Sequence, residues 1–284
     1  MPITRKIMGV SRGGGGKKAI FGYGQTNVTN LVSNIGVVSG NVTGVGTSRY
    51  LLAAASYGTD KAIFGYGYTS YSMTNLVSNI GVVASDVTGV GTGRYGLAAA
   101  GYGTDKAIFG YGSSNFTNLV SNTGVVASDV ASVGTGRTYL AAAGYGTDKA
   151  IFGYGTDGGD YSLKNLVSNI GVVASDVTGV GTARAYLAAT GYGTDKAIFG
   201  YGYTNTSVSM TNLVSNLGVV ASDVTGVGTA RYGLAAAGYG TDKAIFGYGS
   251  SNFTNLVSNT GVVASDVASV GTGRTYLAAS SYGT

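Results

Sequence analysis

Short apolar runs, each closed off by Gly, Asn, Asp or Thr, make up the hydrophobic pattern of this chain. In the stretch that opens at Arg94, residues 97–102 (LAAAGY) are small and apolar, Gly103-Thr104-Asp105 has turn chemistry, and residues 106–111 (KAIFGY) form a second run. Two runs joined this tightly predict an antiparallel hairpin. In the second run Ala107, Phe109 and Tyr111 fall on one face, Ile108 and Gly110 on the other. That period of two belongs to a strand with a different neighbour on each side. A tip at 113–117 follows, then Asn118-Leu119-Val120-Ser121, a turn at Asn122-Thr123-Gly124, and Val125-Val126-Ala127, which predict a third and a fourth strand. Residues 128–135 (SDVASVGT) lead back to the next arginine, Arg137.

The pattern occurs six times. The heptapeptide KAIFGYG begins at Lys18, Lys61, Lys106, Lys149, Lys196 and Lys243, giving spacings of 43, 45, 43, 47 and 47 residues. Such regularity means stacked structural units. Between the Gly that ends each heptapeptide and the next Asn-Leu lie 5, 7, 5, 9, 9 and 5 residues, and the rest of each unit keeps its length. Changes in steps of two predict hairpin tips lengthened by one residue per arm, because a single insertion would turn inward side chains outward. Four short strands in about 45 residues match one blade of a β-propeller, and six blades can close a ring that leaves no sheet edge open. The small LAAA run suits the crowded innermost strand. The last unit stops after residues 274–284, an innermost strand with no successor, while the first unit starts at Lys17-Lys18 with Arg12 and four glycines in place of its first strand. The sequence therefore predicts an all-β, six-bladed β-propeller of four-stranded antiparallel blades over residues 17–284. Its C-terminal strand completes the first blade, and a basic, glycine-rich arm (residues 1–16) precedes it.

Composition sharpens this picture in two ways. Gly supplies 51 residues and Pro one, and the glycines recur at fixed places in the repeat, which points to ordered turns and close packing. The chain has no Cys and no His, and its 12 acids are all Asp, so disulfides and the usual zinc sites are excluded and no cofactor is expected. The net charge of +5 belongs entirely to Arg5, Lys6, Arg12, Lys17 and Lys18; the other 12 basic residues balance the 12 acids. A body without a basic stripe argues against nucleic-acid binding. The arm is expected to dock on an acidic surface of a partner or assembly. The sequence has neither the apolar run of a secretory signal nor the ~20 apolar residues of a membrane span, so a cytoplasmic or virion location is expected, with no membrane partner.

The order of arginine, small apolar strand, tight turn, apolar strand ending in Gly-aromatic-Gly, variable tip and Asn-Leu-Val resembles the kelch repeats of galactose-oxidase-type propellers across all six units. This chain departs from that pattern in reading Gly65-Tyr66-Gly67 where a double glycine is usual, and in having no Trp. The resemblance implies a scaffold for binding partners; the copper chemistry of the oxidase members needs His and Cys, which are missing here. The repeats also resemble propeller proteins carried on bacteriophage particles, which implies a structural or receptor-binding role on a virion.

Catalysis is disfavoured by uniformity. Residues 112–142 and 249–279 match almost letter for letter, whereas an active site needs one asymmetric cluster of different groups. Each blade opens with an arginine (Arg49, Arg94, Arg137, Arg184, Arg231 or Arg274), preceded in five copies by Asp86, Asp129, Asp176, Asp223 or Asp266 and in the first by Asn41. We read these arginines as braces of the inter-blade loops, through salt bridges or carbonyl bonds, with a ring of anion-binding arginines as the alternative. Asp60-Lys61 and its four equivalents read as turn residues. No metal site is assigned, although Asp157 and Asp160 could hold Ca²⁺ weakly. The candidate binding residues are Tyr68, Tyr71, Asp157, Asp160, Tyr161 and Tyr203, on protruding tips expected to lie beside the arginine-bearing loops. The longest tips, in copies four and five, are expected to form a ridge. The function that follows is non-enzymatic, a structural or recognition module, with a glycan-binding lectin and a cytosolic protein-interaction scaffold as alternatives.

Overall fold

The computed structural model describes residues 17–284, and the arm bearing Arg5, Lys6 and Arg12 lies outside them. Twenty strands and no helix account for the regular structure among the described residues. The first half holds β1 (Lys18–Gly22), β2 (Thr29–Val32), β3 (Ala53–Tyr57), β4 (Lys61–Gly67), β5 (Tyr71–Val77), β6 (Ala98–Tyr102), β7 (Lys106–Gly110), β8 (Phe116–Val120), β9 (Val130–Ala131) and β10 (Ala141–Tyr145). The second half holds β11 (Lys149–Gly153), β12 (Lys164–Val167), β13 (Ala188–Tyr192), β14 (Lys196–Tyr203), β15 (Ser207–Val214), β16 (Ala235–Tyr239), β17 (Lys243–Gly247), β18 (Phe253–Val257), β19 (Val267–Ala268) and β20 (Ala278–Tyr282).

They form six antiparallel sheets: β3-β4-β5, β6-β7-β8-β9, β10-β11-β12, β13-β14-β15, β16-β17-β18-β19 and β2-β1-β20. In the last of these the two ends of the chain meet, Phe21 facing Ala279 and Lys18 facing Tyr282. The first strands are neighbours in cyclic order, β3 to β6, β10, β13, β16, β20 and back to β3.

Packing between sheets explains the KAIFGYG motif. The second-strand phenylalanine of one sheet lies over the second-strand glycine of the sheet before it, so that a Cβ on Gly110 would sit 2.6 Å from the Phe152 ring. The same fit joins Gly247 to Phe21 across the chain ends. Each phenylalanine also meets a tyrosine edge-on, as in Tyr111–Phe152 at 5.2 Å between centroids. Ala, Ile, Phe and Tyr of the motif are almost completely buried in every copy, and each such phenylalanine contributes about 1.5–3 kcal/mol by leaving water.

Two belts of backbone hydrogen bonds run around the inner strands. At one end Gly58 donates to the Asp105 carbonyl, Gly103 to Asp148, Gly146 to Asp195, Gly193 to Asp242, Gly240 to Lys17 and Gly283 to Asp60. At the other end Leu51 donates to Tyr276, Gly96 to Leu51, Tyr139 to Gly96, Tyr186 to Tyr139, Gly233 to Tyr186 and Tyr276 to Gly233. Each belt returns to its start.

The fourth strand differs from expectation. Residues 125–127 form no strand, and Val126 makes only a lone bridge to Val120. The fourth strands are instead β9 and β19, pairing with Phe116–Thr117 and Phe253–Thr254. The other four sheets have three strands, with a single bridge such as Thr74↔Val87 in that place. The cause is Asn118, whose buried Nδ2 donates to the Ala127 carbonyl at 2.9 Å and to Asp129 Oδ1 at 2.9 Å. A side chain thus occupies the position a ladder would need, and pairing resumes only beyond it.

The tips follow the two-residue rule in copies two and five. There β4–β5 and β14–β15 continue past a register shift at Gly65/Gly67 and Gly200/Gly202, and the arms of the fifth copy are each one residue longer than those of the second. Copy four has the same tip length as copy five without the extended hairpin; Thr156 bridges to Thr138 and Asp160 instead.

Candidate functional site

The six arginines that open the repeats are buried between neighbouring sheets. Arg94 lies over the Tyr66 ring at 4.3 Å, donates through Nη2 to Asn118 Oδ1 at 2.5 Å, and sits 3.6 Å from Asp129. Its side chain is fully buried, and the same stacking on a tyrosine of the preceding sheet recurs for all six arginines, at 4.1–4.8 Å. Each arginine therefore joins two sheets over a ring face, and in five of the six an asparagine amide oxygen offsets the charge as well. Burial draws every one of these guanidinium groups below its ordinary value and, against the pull of the arginine, pushes Tyr23 and Tyr111 up to about 12. Enclosed in this way, the arginines tie neighbouring sheets to the loops between them.

The carboxylate partner is not the one that sequence order suggests. Arg49 pairs with Asp86, Arg94 with Asp129, Arg137 with Asp176, Arg184 with Asp223 and Arg231 with Asp266, so each arginine meets the aspartate that follows it. That aspartate also takes the incoming linker, as when Thr92 N and Oγ1 donate to Asp129 Oδ2. Asn41 consequently faces the linker of Arg274: Thr272 N donates to its Oδ1 at 3.1 Å and its Nδ2 donates to Thr272 Oγ1 at 2.8 Å. Among the described residues Arg274 has no carboxylate partner, and its Nε and Nη2 make no hydrogen bond.

Immediately after each arginine the chain places one tyrosine near the axis, in either of two adjacent positions. Tyr50, Tyr95 and Tyr232 directly follow their arginines, whereas Tyr139, Tyr186 and Tyr276 come one residue later, in the belt itself. The belt position is left-handed in all six copies, with φ of 55° at Leu51, 57–58° at the three tyrosines and 64° at Gly96 and Gly233. Glycine accepts this freely, and a tyrosine does so at a cost of about 1 kcal/mol. The two glycines also make room, because a Cβ at Gly96 would sit 3.1 Å from the Tyr139 ring and one at Gly233 would sit 3.0 Å from that of Tyr276.

Tips of copies two and five add Tyr68 and Tyr203, brought beside the linkers by the bridges Tyr50↔Tyr68 and Ala185↔Tyr203. Ring contacts then connect all eight tyrosines. Tyr95, Tyr68, Tyr50 and Tyr276 follow one another at 5.3, 5.0 and 6.3 Å. Tyr276 meets Tyr186 and Tyr232 at 5.9 and 6.2 Å, Tyr139 stacks on Tyr186 at 4.1 Å, and Tyr203 meets Tyr232 at 5.5 Å. The result is a continuous aromatic surface above a shallow dent floored by Leu52, Leu97 and their equivalents. Burial pushes the pKa of Tyr139, Tyr186 and Tyr276 up, so they remain neutral phenols at ordinary pH. The motif tyrosines below use their hydroxyls on backbone carbonyls, Tyr111 on Val133 at 3.0 Å for instance. Among the described residues none of the eight surface hydroxyls makes a bond of that kind.

Of the sequence-derived candidates, Tyr68 and Tyr203 belong to this surface and the others do not. Tyr161 turns its hydroxyl to Asp157 Oδ1 at 2.7 Å, Tyr71 is half-buried at the start of β5, and Asp160 is exposed at the copy-four tip. No group of three or more His, Cys, Asp or Glu converges on a metal position among the described residues. The six linker tyrosines escaped the sequence reading because they alternate between two offsets from the arginine; the signal available was that every copy has one.

At the opposite end, an axial cavity of about 260 Å³ is lined by alanines and glycines of the inner strands and ringed by the turn residues. Of its lysines, Lys106, Lys149, Lys196 and Lys243 pair with the aspartate just before them, at 2.9–3.5 Å. The turns between third strands and residues 125–127 share this end, where Gly58 abuts the Asn122 carbonyl. No helix among the described residues is long and apolar enough to cross a membrane. No family model matches the chain, and no curated protein matches it either.

Proposed function

We propose that the chain is a six-bladed β-propeller with a recognition role and no catalytic one, and that the tyrosine surface is where it binds. Six sheets, inner strands in cyclic order and two belts that return to their start support the architecture. The observation that carries the function is the convergence of eight tyrosines at one end, supplied by six linkers and two tips. Tyrosine gives large, rigid contact area for little entropy, which suits a binding surface.

Affinity capture from cell extract and from cell-surface material tests this. A Tyr68→Ser/Tyr203→Ser/Tyr232→Ser variant is expected to lose what the wild type retains, while Ile80→Ser/Ile170→Ser, on exposed turns of the opposite end, keeps it. Retention that depends on the isoleucines and ignores the tyrosines would move the binding surface to the other end.

A further inference from the structure

We propose that the tyrosine surface binds a neutral oligosaccharide, sugar rings stacking on the phenol faces while sugar hydroxyls bond the phenol hydroxyls. The inference rests on the recognition reading above and narrows it to one ligand class. Three observations carry it.

The first is charge. The arginines beneath the surface are buried, five of them bonded to an asparagine and Arg274 to the Thr272 carbonyl, and the lysine-bearing turns stand at the opposite end of the inner strands. Among the described residues a phosphate, sulfate or nucleic acid would find no exposed cation there to offset its desolvation. The second is hydrogen-bonding capacity. Aromatic rings combined with hydroxyls that are not used on the backbone match a ligand that is apolar on its ring faces and hydroxylated at its rim.

The third is the placement of the rings. Tyr139, Tyr186 and Tyr276 occupy left-handed positions that two sister copies fill with glycine. Left-handed residues recur throughout the repeat, Leu51 and the buried motif tyrosines among them, and at these three positions the backbone carries a ring out over the belt. The contacts run unbroken across the axial end from Tyr95 to Tyr203, so the surface offers several stacking positions to a chain of sugars. A single residue of sugar would engage only part of it.

The left-handed positions supply clean variants. Tyr186→Gly and Tyr276→Gly remove a ring and relax the backbone together, so they leave the fold intact. Saturation-transfer NMR and calorimetry with neutral gluco-, manno- and chito-oligosaccharides are expected to find at least one ligand. Its affinity should fall at least tenfold in each glycine variant and hold in 0.5 M NaCl. Choline and a sulfated oligosaccharide serve as the competing chemistries. Tighter binding of either, no neutral oligosaccharide bound at millimolar concentration, or unchanged affinity in both glycine variants would overturn the saccharide assignment. If extract capture still depends on the same tyrosines in those cases, recognition stands and only its ligand class falls; if capture is indifferent to them as well, both readings fall.

Discussion

One residue distinguishes the junction of the chain ends from the five others. Where Asp86, Asp129, Asp176, Asp223 and Asp266 each meet a buried arginine, Asn41 meets the linker of Arg274 and brings no charge. A buried guanidinium without its carboxylate is costly to the fold. Asn41→Asp is expected to raise stability by about 1 kcal/mol, which for a chain of this size is roughly 2 °C in melting temperature. Asp129→Asn should do the reverse at an ordinary junction. Thermal melting of the two variants beside the wild type checks both signs, and a fall in the Asn41→Asp variant would show that the junction does not work as the others do. These partners were hidden in the sequence for a simple reason. Proximity along the chain pairs each arginine with the aspartate before it, but the chain folds back and, in five cases, brings the one after it.

Among the elements, the hairpin tips show how far a repeat pattern can be trusted. Length differences in steps of two read out the longer arms of β14 and β15 relative to β4 and β5, because register is a matter of parity. Adding one Thr on each side of the loop at residues 204–206 should therefore change stability by less than about 0.5 kcal/mol. Adding one on a single side should cost about 1 kcal/mol or more through a slipped register; equal melting curves would count against the parity argument. Parity alone misleads in copy four, where Tyr161 and Asp157 bond each other and Thr156 turns back to Thr138. The fourth strand was likewise illegible. Val125-Val126-Ala127 has strand composition, yet a buried asparagine side chain three dimensions away from any local pattern takes the hydrogen bond that pairing would need. The small first strands, the alternation within KAIFGYG and the pairing of the last strand with β1 were readable because burial on two faces leaves a plain periodic mark.

For the molecule as a whole, the chain ends share one sheet, and the last strand serves both belts through Tyr276 and Gly283. Deleting residues 275–284 should uncover β1, interrupt both belts and leave Ile20 and Phe21 without cover. The expected result is a broad, non-cooperative melt with aggregation; a melt like that of the intact chain would mean that closure contributes little. The tyrosine surface belongs to this scale too. No single copy contains it, which is why reading one repeat at a time gave two of its eight members.

The belts also bear on heredity. Repeats as alike as these invite unequal recombination, which would add or remove whole copies while leaving each sheet intact. A belt tolerates such a change poorly, since every amide in it must find the carbonyl of its neighbour around a closed circle whose circumference would shift by one part in six. A gained or lost copy would therefore be expected to leave amides and carbonyls of both belts without partners.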